Sequence, residues 1–248
     1  MKLYGINPVL ERIRANPASV KKIYIQQGVQ GGPIQKKAAQ NHVPFILVHE
    51  SKMSKIGRDK NHQGFIADVE DFEYAELDVV LSNAAEKHRT LIFLDGLNDP
   101  QNLGVMIRSL ACLGRFAIIL TTHNSVSVTE AVLRIASGGD NYVPICRVPN
   151  LVNAIKKAKE ENFWIIAADV SKGQFLGTNE FPPLVGVVIG SEQKGIRDVV
   201  LAQVDERISI PMYAETISFN AAQALTIIAY EITRQKRQKQ KNFALEKD

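Results

Sequence analysis

The sequence predicts an α/β protein of two unequal lobes: a small α/β domain over residues 1–70, a linker over 71–85, and a larger domain with a mainly parallel sheet over 86–248. Three observations carry this expectation. From about Thr90 onward, short apolar runs alternate with segments of helical periodicity, the pattern of strands buried between crossover helices. Before Glu70 a similar alternation appears on a smaller scale. Between the two, the acidic stretch EDFEYAELD (Glu70 to Asp78) breaks the pattern.

In the first lobe, GINPVLERIRA opens a helix, with Asn7 as the expected N-cap and Pro8 at the first helical position, where proline is favoured. KKIYIQQG reads as a strand and PIQKKAAQNH as a helix. PFILVH is a second strand, ESKMSKIG follows it, and GFIADV closes the lobe as a third. In the second lobe, strands are expected at LIFLDGL, FAIILTT, YVPICRV, FWIIAADV, LVGVVIGS and ERISIPM. Helices are expected at Leu103–Leu113, Val128–Ala136, Leu151–Glu161 and Ile196–Ala202, with a long one from about Phe219. On that last helix Ala221, Leu225, Ile228 and Ile232 share one face. Its end, RQKRQKQK, carries five positive charges, which suit a helix C-terminus, a solvated tail or a phosphate contact.

With 248 residues, 45% hydrophobic and 23% charged, the composition is that of a globular protein with a substantial core. Cys112 and Cys146 show no metal-ligand or disulfide-scaffold spacing, so no metal is expected. The N-terminus lacks the apolar core of a secretory leader and no window reads as a membrane span, so a cytoplasmic protein is expected. Charge is uneven: residues 1–70 sum to +6 and the remainder to −2. A basic lobe is compatible with a polyanion partner and equally with a Lys-rich solvated surface.

Open parallel sheets bind ligands beyond the carboxyl ends of their strands. Three segments at such positions are polar or glycine-rich: DGLNDPQNLG (95–104), GSEQKG (190–195) and PMYAETISFN (211–220). None is a dinucleotide or P-loop fingerprint. They bring Asn102, Arg108, Glu192, Ser218 and Asn220 to loops or helix starts at one end of the sheet. Each has a plain structural reading: Asn102 and Ser218 as N-caps, Glu192 as a solvated carboxylate, Asn220 as a polar first-turn residue, and Arg108 as a snorkelling side chain.

Taken together, the three segments resemble the motifs of the SpoU (TrmH-like) class of SPOUT RNA ribose 2′-O-methyltransferases. Asn102, Gly104 and Arg108 match the first motif. Gly190, Ser191, Glu192 and Gly195 match the second, and Ile210, Pro211, Met212, Ser218 and Asn220 match the third. The resemblance spans roughly residues 88–236. YGINPVLE and NHQGFIADV extend it to the RNA-binding substrate domain that precedes the catalytic domain in many members. The chain departs from the pattern at Gln193, at Ala214, at Phe219, at Ala221–Gln223 and at SGGD (Ser137 to Asp140).

The resemblance implies an N-terminal RNA-binding domain and a SPOUT domain with a parallel sheet and a trefoil knot, a rare exception to un-knotted folding. It implies S-adenosylmethionine as cofactor, held by Thr121, Gly190, Ser191, Ile210, Met212 and Phe219. Arg108, Asn102, Glu192, Ser218 and Asn220 would form the catalytic set. A guanidinium with a pKa above ~12 rarely gives up its proton, so Arg108 is expected to grip a phosphate of the target strand by paired hydrogen bonds. The exposed Lys21, Lys22, Lys36, Lys37 and Lys60 would meet further phosphates. The expected partners are RNA, most directly a 23S rRNA guanosine with tRNA as alternative, and a second copy in a homodimer; DNA and membranes are not expected. A catalytically silent RNA-binding or assembly protein and a nucleotide-dependent enzyme are the competing readings.

Overall fold

A computed structural model describes residues 1–58, 60–169, 173–191, 193–213 and 217–245, with side chains to residue 240. The first lobe runs β1 (Lys2–Tyr4), α1 (Ile6–Ala15), β2 (Val20–Gln26), α2 (Gly32–Gln40), β3 (Phe45–Val48), α3 (Glu50–Gly57) and β4 (Phe65–Val69). Its sheet has the order β1-β4-β2-β3. β2 and β3 are parallel because α2 crosses between them, whereas β4 is antiparallel to both β1 and β2. Alternation along β2 sends Ile23 and Ile25 to the larger core, with Val9, Ile13 and Phe65, while Tyr24 packs against the smaller cluster of Tyr4, Val48, Met53 and Ile66.

Two local expectations change here. β1 was not anticipated, since three residues carry no periodic signal; pairing with β4 makes it a strand. Asn7 is not the N-cap, because α1 starts at Ile6 and Gly5 takes the cap position without a side-chain bond.

The second lobe runs α4 (Leu77–Glu86), β5 (Thr90–Asp95), α5 (Pro100–Leu113), β6 (Phe116–Thr121), α6 (Glu130–Ala136), β7 (Ile145–Val148), α7 (Leu151–Glu160) and β8 (Trp164–Ala168). It continues through β9 (Gln174–Phe175), β10 (Val185–Gly190), α8 (Asp198–Leu201), β11 (Glu206–Ser209) and α9 (Ala221–Leu245). Among the described residues the sheet has seven strands in the order β7-β6-β5-β10-β8-β11-β9, every pair parallel. The pleat divides β5 between two cores: Ile92 and Leu94 face α5, α6 and α9, and Leu91 and Phe93 face α4 and α7. Burial on both faces explains why β5 and β6 are apolar almost throughout rather than alternating. The segment expected as linker contains α4, whose Val80, Leu81 and Ala84 are buried against the second of these cores.

The lobes share the larger core and meet along a polar seam. Glu130 accepts hydrogen bonds from the Lys2 backbone N–H (2.8 Å), Lys60 Nζ (2.7 Å) and the Tyr4 hydroxyl (3.3 Å). Arg12 donates to Asp140 at 2.5 Å, their side chains only 9% and 2% exposed. Asp140 belongs to the SGGD departure, which therefore has a docking role. Lys60, one of the lysines assigned to RNA phosphates, is tied into this seam, its ammonium 4.6 Å from the Tyr4 ring centroid.

Candidate active site

The described residues of all three sequence segments lie at the carboxyl end of the large sheet. Gly190 ends β10 and leads into a tight turn in which Ser191 and Gly195 exchange backbone hydrogen bonds of 2.9 and 3.2 Å. Ser191 Oγ also accepts from the Lys194 N–H at 3.2 Å. Gly195 has φ +63°, and a Cβ at Gly190 would lie 2.2 Å from the Gly195 carbonyl carbon. Only glycine at 190 lets the turn fold back so tightly over the strand end. Glu192, within this motif, lies outside the described residues.

The first motif is set by helix packing. Asp99, not Asn102, caps α5: its carboxylate accepts from the Gln101 N–H at 2.8 Å, with Pro100 at the start of the helix. Asn102 is thereby placed inside the first turn, 7% exposed. A Cβ at Gly104 would fall 2.6 Å from that of Ile135, so the missing side chain allows α6 to pack directly on α5.

The third motif ends at the N-terminus of α9. Asn220 rather than Ser218 is the capping residue, its Oδ1 accepting from the Ala222 N–H at 2.8 Å. Gln223 reaches back to accept from the Asn220 N–H at 3.4 Å, a capping box that accounts for glutamine at this departure. The other end of the Asn220 amide donates to Asn102 Oδ1 at 3.0 Å, joining the first and third motifs.

Two clefts adjoin there. One, a cavity of about 300 Å³, is lined by Gly190, Ser191, Ile210, Met212, Ser218 and Phe219, with Ile189 and Ile208 beneath. Its mostly apolar wall and few polar groups suit a nucleoside-sized ligand. The Gly190 turn, which a Cβ would fill, gives close backbone access to it. The other cleft, about 960 Å³ and more polar, is lined by Asn102, Thr121, Asn150, Lys194, Arg197 and Asn220 among others, and shares Ser191 and Gly195 with the first. Thr121, expected among the cofactor residues, thus lines the second cleft; its hydroxyl donates to the His123 carbonyl at 2.9 Å.

Arg108 lines neither cleft in the single chain. It is exposed on α5, six residues beyond Asn102, about 9 Å along the helix axis. Sequence reasoning missed Asp95 and Arg197. Asp95 ends β5 with its side chain 1% exposed, and Arg197 clamps it through Nε at 2.8 Å, Nη2 at 2.7 Å and the backbone N–H at 2.9 Å. This bridge fastens the segment after the β10 turn to the end of β5, flooring the second cleft. The carboxylate at the end of an apolar strand was the available signal; its partner 102 residues away had none. Among the described residues, no group of His, Cys, Asp and Glu side chains could hold a metal ion.

The fold is shared with solved methyltransferase structures. The SpoU methyltransferase AviRb from Streptomyces viridochromogenes superposes with a TM-score of 0.79 at 20% identity, over 96% of this chain and 90% of that one. An AdoMet-bound rRNA methyltransferase from Sinorhizobium meliloti gives 0.74 at 21% identity, over 94% and 86%. The class defined by these likenesses is one of fold: an α/β protein with a parallel sheet, here with both clefts at the carboxyl ends of its strands.

Residues 89–230 match the SpoU rRNA methylase family and residues 2–75 match the RNA 2′-O ribose methyltransferase substrate-binding family. A Staphylococcus epidermidis protein named as a TrmH family tRNA/rRNA methyltransferase is 34% identical over 241 residues, covering 95% of this chain and 96% of that protein. A Mycobacterium marinum protein named as a tRNA/rRNA methyltransferase is 31% identical over 94% of this chain and 76% of its own length. The chain belongs to the SpoU rRNA methylase family, whose members are S-adenosylmethionine-dependent RNA 2′-O-methyltransferases.

Proposed function

We propose that this protein methylates the ribose 2′-hydroxyl of a guanosine in 23S rRNA. The supporting observation is the pair of clefts joined at the Ser191–Gly195 turn, one apolar and nucleoside-sized, the other polar and open. Gly190, Ser191, Ile210, Met212 and Phe219 would hold S-adenosylmethionine in the first, where the cofactor supplies a methyl group already activated on a sulfonium. The chain's own task is then alignment and handling of the hydroxyl proton. The Asn102–Asn220 pair orients the acceptor ribose, Ser218 reaches the mouth of the cofactor cleft, and Glu192 is assigned to the catalytic set by its motif position. Arg108 grips the phosphate beside the target.

We assign residues 1–70 as the RNA-binding domain, 71–85 as the connection and 86–248 as the catalytic domain with its trefoil knot. The compartment is the cytoplasm, where ribosomal RNA is made; no helix among the described residues is long and apolar enough to cross a membrane. We also propose a homodimer through α5 and α9, which pair side by side with Val105 and Tyr230 exposed at 37% and 60%. In that assembly Arg108 serves the second cleft of the opposite copy.

Labelled methyl transfer to rRNA and tRNA from cells lacking the gene tests the reading. Label in 23S rRNA, mapped to one guanosine 2′-oxygen, is expected. Label confined to tRNA overturns the substrate assignment, and absence of label from both overturns the enzyme assignment.

A further inference from the structure

A second charged site lies at the other end of the large sheet, where the strands begin. Thr90 opens β5 and Phe116 opens β6, and beside them is a cavity of about 790 Å³. α9 lays Lys236, Arg237 and Lys239 along it, the turn before β6 supplies Arg115, and the turn before β5 supplies His88. Among the described residues no carboxylate lines this cavity. The carboxylate paired at its edge is Glu180, exposed and 3.5 Å from Lys239.

Lys236 shows what the site lacks. Half-buried, it donates to the His88 carbonyl at 3.0 Å and to Thr90 Oγ1 at 2.9 Å, and among the described residues it has no ion-pair partner. Burial, reinforced by the like charge of Arg115, pulls its ammonium down to about 8. An enclosed cation with only neutral acceptors, beside further cations, is electrostatically unfavourable until an anion enters. The cations come from two separate elements, three from α9 and Arg115 from the turn before β6, around a cavity of about 790 Å³, which suits successive charges on a strand better than a single ion.

We propose that this cavity binds phosphodiester groups of an RNA strand, at the end of the sheet away from the methyl-transfer clefts; the inference rests on the RNA-methyltransferase reading above. Three of the positive charges of RQKRQKQK, Lys236, Arg237 and Lys239, then acquire a use as one wall of a phosphate site. Contacts of this kind position an RNA without reading its sequence.

The test uses the full-length protein and a labelled rRNA fragment, comparing wild type with the triple variant Arg115→Gln, Arg237→Gln, Lys239→Gln. Three lost phosphate contacts reduce the slope of log affinity against log salt by about 2 on a single strand, with roughly tenfold or greater weakening at low salt. S-adenosylmethionine binding by calorimetry stays at the wild-type value, because the clefts are at the opposite end of the sheet. The charge-keeping pair Arg237→Lys, Lys239→Arg retains the wild-type slope; a loss matching that of the triple variant overturns the proposal in favour of a packing effect. A wild type that methylates RNA beside a triple variant with unchanged slope and affinity overturns the site alone. A wild type that binds no RNA overturns both site and reading. Calorimetric binding of inorganic phosphate at the cavity, with RNA binding unchanged in the triple variant, assigns it to a free anion and overturns the strand assignment.

Discussion

Arg108 stands on the outer face of α5 with no hydrogen-bond or ion-pair partner among the described residues, although Val105 beside it is apolar and the facing side of the helix is core. A cation left free in this way is available to a phosphate. Arg108→Ala is expected to lower single-turnover methyl transfer by about a hundredfold or more through lost alignment, with calorimetric S-adenosylmethionine affinity unchanged. A wild-type rate would remove Arg108 from the catalytic set. Glu130 is the opposite case, a carboxylate with three donors. Partial burial works against its charge, but the bonds from Lys60, the Lys2 N–H and Tyr4 together outweigh this and hold its carboxyl below the usual range. The unfolded chain therefore binds this proton more readily, and the stabilisation, complete above the ordinary carboxylate pKa, is lost as pH falls through the lowered value. Glu130→Gln is expected to cost about 1–2 kcal/mol at neutral pH and to flatten the acid limb of stability, as read by denaturant unfolding across pH.

At the scale of elements, the chemistry depends on how closely helices and turns approach one another. Gly104→Ala would thrust a methyl into Ile135 and force α6 off α5, at a cost of about 1–3 kcal/mol. Thermal unfolding measures this directly, and an unchanged midpoint would show that the helices separate freely. Asn220→Ala removes both the α9 cap and the bond to Asn102; the cap alone accounts for about 1 kcal/mol. The strands of the large sheet and the long helices were legible because apolar runs and helical periodicity are local signals. β1 and β9 were not, since a segment of two or three residues becomes a strand only through its neighbour. The caps of α5 and α9 were misplaced to Asn102 and Ser218 for a related reason. Several residues at each helix start could cap, and packing selected Asp99 and Asn220.

At the scale of the molecule, the separation of Arg108 from the clefts of its own chain predicts a shared active site. Mixing two inactive variants, Arg108→Ala and a cleft variant such as Gly190→Ala, with subunit exchange is expected to restore about a quarter of wild-type activity, since half the dimers then carry one intact site. Mixtures that remain inactive despite exchange would place each site within one chain. The seam between the lobes bears on the same scale. Because α1 meets the segment after α6 through Arg12–Asp140, and β1 and Lys60 meet the start of α6 through Glu130, the N-terminal lobe is held in register with the second lobe rather than tethered loosely.

By itself the sequence determined the two-lobe α/β class, most strands and helices, and the three motifs carrying the family resemblance, because these reside in local periodicity and in residue spacing. The tertiary structure alone decided that Asn102 meets Asn220 across 118 residues, that Asp95 is clamped by Arg197, that Thr121 lines the second cleft, and that Lys60 is bonded into the seam. Each of these is a contact between distant segments. Its partner is selected by the order of strands in the sheet and the packing of helices on it, and neither is written in the neighbourhood of the residue concerned.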